Sequence, residues 1–296
     1  DPSLVAGVSQ LPSSTAWLTG LGKIEGLDTD GTYIYVLIDS GSSAVDKIRK
    51  YDASGALVTA FDSDGIADVK TSAALNVTVA EAIAYAAGAL WVSHNQQSVD
   101  DEGSGNQRVF LKFNATTGAA MATDCEPNFP NQWQQKVEAM AGNGGNDIFA
   151  QSLSDDQRGM RFNASDGCSR ANDWNPNYDR PYALGYDTTN GVLYSVNGAG
   201  EIKTHTTNNP QDTATDVGTV TGFTSSAPGG FVATSSGVLY IANGEGVTAG
   251  STDGVIHKTQ PASALSTSPR GLAYDSVNEH LYLLVNGPSS SNDWMV

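Results

Sequence analysis

Few residues of this 296-residue chain carry a charge, and few of the charged ones are basic. There are 15 Lys and Arg residues against 32 Asp and Glu residues, so the net charge is −17. A surface this acidic repels nucleic acid and anionic membranes, and we expect neither as a partner. Long apolar runs are also missing: no segment approaches the roughly 18 apolar residues of a membrane helix, so we expect no membrane insertion.

Cysteine is almost missing, since Cys125 and Cys168 are the only two. In an exported protein such a pair favours a disulfide, whereas in a cytosolic protein it would be two buried thiols; the sequence leaves both open. The few lysines and the many Ser, Thr, Asn and Gly residues are typical of exported proteins. We therefore expect a secreted or cell-surface protein.

What the chain does contain is a repeat. Six times, a short apolar run is followed about ten residues later by an aliphatic–aromatic pair, with turn residues between them. Gly26–Leu27 leading to Ile34–Tyr35 is the first copy, and Gly271–Leu272 leading to Leu281–Tyr282 is the last. Two half-buried strands around a tight turn, repeated at this spacing, predict an all-β fold, a six-bladed β-propeller.

The residue just before each first apolar run marks the start of a blade. These markers are Glu25, Glu81, Glu138, Tyr182, Gly229 and Arg270. No Pro- or Gly-rich linker divides the chain, so we expect residues 1–296 to form a single propeller domain with blades starting near 25, 81, 138, 182, 229 and 270. The last blade has room for only three strands, so we expect an N-terminal strand, Leu4–Val8 or Ala16–Gly20, to close it.

Turn chemistry accounts for several motifs that look functional. Lys50–Gly55, Lys112–Gly118 and Arg161–Gly167 are versions of one hairpin, in which Asp or Asn starts the turn and Gly ends it. Asp28–Gly31 looks like a calcium loop but falls where the other blades have a hairpin turn, so we expect a turn there too.

The markers give the sharpest functional inference. Glu25, Glu81 and Glu138 occupy the same place in three consecutive blades, so we expect them at one half of the mouth of the central channel, with Tyr182 and Arg270 at the other half. Three like charges near the axis raise one another's pKa or require a cation between them. They bind a divalent ion or a cationic ligand group, or each glutamate pairs with a backbone N–H or Arg270 and only closes its blade.

Long loops bring further candidates to the same face. His94, beside Asn95 in an insertion, is the histidine best placed for chemistry. Trp133 and Trp174 lie among Asn, Asp and Gln residues, where they could stack on sugars, anchor a protein partner, or pack the loops onto the blades.

The stretch 62–68 combines Asp62, Asp64 and Asp68 around Gly65. Carboxylates around a sharp glycine turn are what calcium requires, and the sequence is similar to the acidic loops of thrombospondin-type calcium repeats. We expect this loop after an outer strand, on the face where the first strands start. It is either a calcium site or a solvated acidic loop.

The repeat, with lines such as Arg270–Asp275 leading to Leu281–Tyr282, resembles the six-bladed propellers of the NHL and gluconolactonase/paraoxonase-like superfamily. Glu25-Gly26-Leu27, followed by Asp30-Gly31, Tyr35 and Asp39, is similar to the opening of the gluconolactonase-like group, in which the Glu binds an axial calcium. The resemblance implies that Glu25 is a calcium ligand.

Taken together, the sequence predicts an extracellular or cell-surface binding or adhesion propeller, part of a larger surface assembly, that recognises a glycan or a protein through its loop-rich face with calcium as cofactor. The alternative is a calcium-dependent hydrolase of the lactonase type, or a polysaccharide lyase. In that case Glu25, Glu81 and Glu138 hold the metal and His94 is the general base. The sequence contains no complete catalytic set, so it leaves open whether the protein is an enzyme.

Overall fold

The computed structural model describes residues 18–71, 74–94, 110–121, 137–152, 159–164, 169–174, 181–197, 199–205, 215–219, 230–234, 238–243, 246–251, 256–261, 269–275, 277, 280–289 and 292–295. These residues form twenty-two β-strands and no α-helix. The prediction of an all-β chain is therefore confirmed for them. In this part of the chain, no helix is long and apolar enough to cross a membrane.

The strands form six antiparallel sheets, each built from strands that follow one another in the chain. Sheet 1 contains β1 (Lys23–Thr29), β2 (Tyr33–Asp39), β3 (Lys47–Asp52) and β4 (Ile66–Asp68). Sheet 2 contains β5 (Ala80–Ala86), β6 (Ala89–His94) and β7 (Phe110–Asn114). Sheet 3 contains β8 (Val137–Gly142), β9 (Asp147–Ser152), β10 (Gly159–Asn163) and β11 (Ser169–Trp174).

The second half of the chain repeats this arrangement. Sheet 4 contains β12 (Pro181–Asp187), β13 (Val192–Asn197), β14 (Glu201–His205) and β15 (Thr215–Thr219). Sheet 5 contains β16 (Gly230–Ala233), β17 (Val238–Asn243), β18 (Gly246–Ser251) and β19 (Ile256–Pro261). Sheet 6 contains β20 (Pro269–Asp275), β21 (His280–Ser289) and β22 (Asn292–Met295).

The first strand of each sheet contacts the first strand of the next. These contacts join β1 to β5, β5 to β8, β8 to β12, β12 to β16, β16 to β20, and β20 back to β1. β1 and β5 run in the same direction: Gly26 lies beside Ala82 and Ile83, and further along both strands the amide of Tyr85 donates to Asp28. The six first strands therefore form a closed cycle.

Glycine permits the closest approaches within this cycle. A Cβ atom on Gly142 of β8 would lie 1.9 Å from the carbonyl oxygen of Tyr85 in β5, and one on Gly230 of β16 would lie 2.3 Å from the amide nitrogen of Leu272 in β20. Real Cβ atoms do not come so close to backbone, so the spacing of these strands depends on the missing side chains.

The apolar core lies between sheets rather than in one central mass. Tyr35 and Leu37 of sheet 1 pack against Leu90 and Val92 of sheet 2, and further clusters join sheets 2 and 3, 3 and 4, 4 and 5, and 6 and 1. A second strand is covered on both faces, so β6 is buried along its whole length: the apolar run Ala89–Val92 is followed by the buried polar residues Ser93 and His94.

A lysine of the repeated hairpin ties each of the first two sheets to the next one. Lys50 Nζ donates to the carbonyl oxygen of Ala115 at 2.7 Å, and Lys112 Nζ donates to the carbonyl oxygen of Ala164 at 3.1 Å. Each lysine comes from one copy of the hairpin and each acceptor from the turn of the following copy. Burial lowers the pKa of both lysines. We call these two contacts the lysine bridges.

The predicted turns are present, with one correction. Asp30 Oδ1 accepts from the amides of Thr32 and Tyr33, and Asn114 Oδ1 accepts from those of Thr116 and Thr117. The assignment of Asp28 to the first turn is wrong, because β1 continues to Thr29 and Asp28 is a strand residue. Its Oδ2 accepts from the Tyr85 amide of β5, and its Oδ1 accepts from the Thr29 amide of its own strand.

Two residues of the N-terminal region join the apolar cluster between sheets 6 and 1. Leu18 and Leu21 belong to the cluster that also contains Ile34 and Val36 of sheet 1 and Tyr282 and Leu284 of sheet 6. Leu4–Val8, one of the two predicted closing strands, lies outside the described residues, as do Cys125 and Cys168.

Candidate functional site

A cavity of about 380 Å³ lies between the first strands of the six sheets. Every sheet contributes a small residue to its wall, directly after the marker position: Gly26, Ala82, Ala139, Ala183, Gly230 and Gly271. Each first strand is also the edge strand of its sheet, so the backbone N–H and C=O groups of that edge border the cavity. We call this cavity the channel.

The marker residues share a backbone irregularity at one end of the channel. The pairing register shifts across each described marker, so each is the extra residue of a β-bulge: Glu25, Glu81, Glu138, Tyr182 and Arg270. Gly229, the sixth marker, lies outside the described residues. A bulge re-aims a side chain and is frequent beside functional sites. The structure thus places the five markers at one end of the channel, which we call the bulge end.

At the bulge end, Glu25 is held in an ion pair with a lysine that also binds Asp39. Lys23 Nζ lies 2.5 Å from Glu25 Oε1 and 2.6 Å from Asp39 Oδ2. Burial alone would lower the pKa of Lys23, but its hydrogen bonds to Asp39 and Glu25 outweigh burial and raise it. Likewise, burial would raise the pKa of Asp39, but the bonds from Lys23 and the Gly41 amide lower it. Glu25 therefore pairs with Lys23, a partner that the sequence did not suggest.

A third carboxylate, Asp46, fixes the start of β5 and with it the position of Glu81. Asp46 is 1% exposed; its Oδ2 accepts from the Ala80 amide at 2.8 Å and its Oδ1 from the Ser40 amide at 2.9 Å. Burial raises its pKa above the ordinary value, helped by the charges of Asp39 and Glu25. Sequence reasoning missed Asp46, because a lone Asp before a strand carries no distinctive signal.

Asp28 lies inside the channel wall. Its Oδ2 accepts from the Tyr85 amide of sheet 2 at 2.7 Å, and its Oδ1 accepts from the Thr29 amide at 2.8 Å. The corresponding positions of the other first strands carry Ala84, Ala141, Gly185, Val232 and Ala273. Burial raises the pKa of Asp28 to about 6, and the charge of Asp30 adds to this shift. The channel thus has one carboxylate at a level where the other strands have apolar or small residues.

His94 is the last residue of β6 and pairs in register with Ala80, so it lies at the bulge end. Only 2% of its surface is exposed. In this conformation a substrate at the channel mouth does not reach the imidazole ring. Asn95, the residue that follows, lies outside the described residues.

The remaining candidates are placed by their backbone. Glu138 lies in β8, Tyr182 in β12, Arg270 in β20 and Trp174 at the end of β11. Trp174 is the last residue of β11 rather than a loop residue, and it pairs with Gly159, the first residue of β10, so its backbone lies at the bulge end. Trp133 lies outside the described residues.

The acidic stretch 62–68 does not form one loop. Because β4 runs from Ile66 to Asp68, Asp62 and Asp64 come before this strand, at the opposite end of the channel, and Asp68 ends it. The expected position of the whole stretch at the bulge end is therefore wrong for Asp62 and Asp64. The run 56–61, which looks like an outer strand, forms only the isolated bridge from Tyr51 to Leu57.

Each aspartate of this stretch has a local role. The Asp62 amide donates to the Thr117 carbonyl, and Asp64 Oδ1 accepts from the Ile66 amide at 2.9 Å. Asp68 binds Lys47 and Lys70, and the hydrogen bond from Lys47 is the main reason that its pKa is lowered. Across the described ranges, no group of three or more His, Cys, Asp or Glu side chains is arranged to hold a metal ion.

One Ser–His pair also escaped sequence reasoning. Ser195 Oγ lies 2.7 Å from His205 Nε2, a distance that a nucleophile and its base could share. Ser195 is 0% and His205 3% exposed, so the pair is closed to a substrate. It links β13 to β14 inside sheet 4.

No family model matches this chain, and no curated protein matches it either.

Proposed function

We propose that the chain is a single-domain six-bladed β-propeller that binds a glycan over the bulge end of its channel. Two observations support the ring of blades: the closed cycle of first-strand contacts, and the one cavity that all six first strands border. The presence of Leu18 and Leu21 in the cluster between sheets 6 and 1 supports an N-terminal segment that completes the last blade.

The observation that carries the choice of face is the alignment of the β-bulges. Five markers, which are Glu, Tyr or Arg residues, interrupt the regular strand pairing as β-bulge residues. All five lie at the same end of their first strands. The longest hairpin connection, residues 95–109 between β6 and β7, starts from strand ends on this side, although residues 53–65 form a connection of similar length between β3 and β4 at the other end. Variable loops on a fixed scaffold are where binding residues concentrate.

The chemistry of this end suits a sugar. The Glu25 and Asp39 carboxylates can accept hydrogen bonds from hydroxyl groups, and the backbone places two aromatic residues, Trp174 and Tyr182, at the same end of their strands. Aromatic faces bordered by polar acceptors combine apolar contact with directional hydrogen bonds. Calcium is part of the proposal, held by Glu25 and Asp39 in place of Lys23. The acidic composition accords with a secreted or cell-surface location, within a larger assembly.

A glycan panel tests this proposal. Purified protein is applied to immobilised polysaccharides and oligosaccharides with added calcium, and again with a chelator. A Glu25→Gln/Glu81→Gln variant alters the bulge end, and Asp52→Asn alters an exposed turn at the opposite end as the matched control. We expect binding that needs calcium, that falls at least tenfold in the double variant, and that Asp52→Asn leaves unchanged.

Three outcomes would overturn the proposal. If the protein binds no glycan but captures a protein ligand, the bulge end recognises a protein partner instead of a glycan. Equal glycan binding by the double variant and by Asp52→Asn would show that the bulge end is not the binding site. Release of shortened or unsaturated sugar, or opening of a lactone, would make the protein a hydrolase or lyase instead of a binding module.

A further inference from the structure

We propose that Asn76 is the acceptor of an N-linked oligosaccharide, attached at the rim of the bulge end. The proposal rests on the secreted or cell-surface location proposed above, because this modification belongs to exported proteins. It needs no ligand in the channel. Its support comes from the acceptor sequence, from the place of Asn76 in the fold, and from the exposed apolar residues beside it.

Three sequences of the chain have the form Asn-X-Ser or Asn-X-Thr, in which X is not proline. They are Asn76-Val77-Thr78, Asn114-Ala115-Thr116 and Asn163-Ala164-Ser165. This form is the acceptor sequence for N-glycosylation, and it marks a surface loop of a secreted protein. It also arises by chance in a chain rich in Asn, Ser and Thr, so the fold has to distinguish the three.

Two of the three acceptor sequences are used by the fold itself. Asn114 Oδ1 accepts from the amides of Thr116 and Thr117, and the Thr117 carbonyl of this turn accepts from the Asp62 amide of sheet 1. Asn163 ends β10 and is paired on both sides, with β9 and with β11. Both asparagines are half-buried. An attached oligosaccharide is bulky and needs solvent around its linkage, so neither position suits it.

Asn76, in contrast, lies in a small hairpin between β4 and β5. The Thr71 amide donates to the Leu75 carbonyl at 3.0 Å, and Asn76 forms an isolated bridge with Lys70. Ala74, Leu75 and Asn76 are exposed in succession. Surface connections of this kind tolerate additions that strands and packed turns do not, so the hairpin has room for a bulky substituent.

The hairpin is anchored at the bulge end. Val77, the residue after the acceptor, is 0% exposed, and its carbonyl accepts from the Asp46 amide at 2.9 Å. The Asp46 carboxylate in turn accepts from the amide of Ala80, the first residue of β5. An oligosaccharide on Asn76 would therefore project from a fixed base at the rim of the bulge end.

Exposed apolar side chains flank the acceptor. Among the described residues, four large apolar side chains are exposed, and they belong to Leu57, Leu75, Val79 and Val277. Leu75, which is 40% exposed, and Val79, which is 38% exposed, lie within three positions of Asn76. An oligosaccharide attached there would shield apolar surface that otherwise favours association between molecules.

The reaction is a transfer of the oligosaccharide to the side-chain amide. The co-reactant is an oligosaccharide whose first sugar is linked through C1 to a polyprenyl diphosphate. A bond forms between Asn76 Nδ2 and C1, and the bond between C1 and the diphosphate oxygen breaks. The lipid diphosphate leaves with the electron pair of that bond, and Nδ2 loses one proton. No oxidant or reductant is required.

Secretion of the full chain from a eukaryotic cell tests the proposal. Protein from the medium and from the secretory compartments is treated with peptide N-glycosidase, which removes the oligosaccharide and leaves Asp in place of the modified Asn. Peptide mass spectrometry then examines all three acceptor sequences. We expect the change from Asn to Asp at Asn76 in most chains, and little or none at Asn114 and Asn163.

Two matched variants and Asn76→Gln complete the experiment. Thr78→Val removes the acceptor hydroxyl but leaves Asn76 in place, and it should abolish the modification, as should Asn76→Gln. Thr116→Val makes the same change in the second acceptor sequence and should leave the mass of the oligosaccharide unchanged. Light scattering should show more association in Asn76→Gln than in the glycosylated wild type, because Leu75 and Val79 are then unshielded.

Several results would overturn the acceptor site. An unmodified Asn76 in chains taken from the secretory pathway would do so, as would equal modification of Asn114 or Asn163, since the fold would then not select the site. The glycan panel separates this proposal from the binding function. Glycan binding by a chain with unmodified Asn76 leaves only the acceptor refuted, whereas a modified chain that binds no glycan leaves only the binding function refuted.

Discussion

At the residue scale, Asp28 connects sequence, fold and channel chemistry. Its carboxylate joins sheet 1 to sheet 2 through the Tyr85 amide and raises the negative charge of the channel. Sequence reasoning placed it in a turn, because Asp-Thr-Asp-Gly has turn composition. Only the position of the neighbouring strand, which no local pattern contains, shows why an Asp occupies a strand position here.

The pH dependence of stability tests this role of Asp28. Its pKa is raised to about 6 in the folded protein. The stabilisation of the folded state by the protonated Asp28 is therefore fully present below the ordinary pKa near 4 and is lost as the pH rises to 6. The free energy of unfolding of wild type, minus that of Asp28→Asn, should fall by about 2 kcal/mol between pH 4 and pH 7. Urea denaturation across this range measures it.

Asp52→Asn is the control for this measurement. The pKa of Asp52 is lowered, first by the hydrogen bond from the Ser54 hydroxyl, so its contribution is present at neutral pH and is lost on acidification. The free energy of unfolding of wild type, minus that of Asp52→Asn, should therefore rise as the pH increases, whereas the corresponding difference for Asp28→Asn falls. If Asp28→Asn kept the full pH dependence of wild type, the proposed buried carboxylate would be contradicted.

At the element scale, the hairpin repeat could be predicted from sequence but its lysines could not. Asn, Asp and Gly define the turn locally, and Asp52 and Asn114 make the expected bonds. Lys50 instead bonds across sheets to Ala115 and lies 4.0 Å from the ring centre of Tyr33. A local pattern also does not show contacts between sheets, which is why residues 56–61 look like an outer strand in the sequence. Phe61 is buried in the core between sheets 1 and 2 without belonging to a strand.

Removing a lysine bridge should destabilise the protein. Lys50→Met keeps the length of the side chain but leaves the Ala115 carbonyl without its charged donor, and Lys50 is only 4% exposed. We expect a loss of about 1–3 kcal/mol in the free energy of unfolding. Lys203→Met is the matched control, since Lys203 pairs with Asp216, whose side chain is 83% exposed, and should cost less than about 1 kcal/mol. Equal losses for the two variants would contradict a structural role for the bridge.

At the scale of the whole molecule, the sixfold repeat predicts where the first strands start, and five of the six markers fall in the described strands. It predicts their grouping at one end, because equivalent positions of a repeat occupy equivalent places. It does not predict the bulges, which depend on pairing register, or the Lys23–Glu25–Asp39 contacts, which depend on side-chain packing. The candidate site is therefore located by sequence, while its electrostatics emerge only from the structure.

The contact between sheets 1 and 6 tests the central claim, the closed ring, most directly. Thr32 and Val277 border one groove between the first turn of sheet 1 and that of sheet 6, and Val277 is 72% exposed, so cysteines at both positions are accessible. A short bismaleimide should join Thr32→Cys to Val277→Cys, with the linked peptides identified by mass spectrometry. Thr32→Cys paired with Thr189→Cys of sheet 4, across the ring, should give no link. Absence of the first link, or formation of both equally, would contradict the closed ring of six blades.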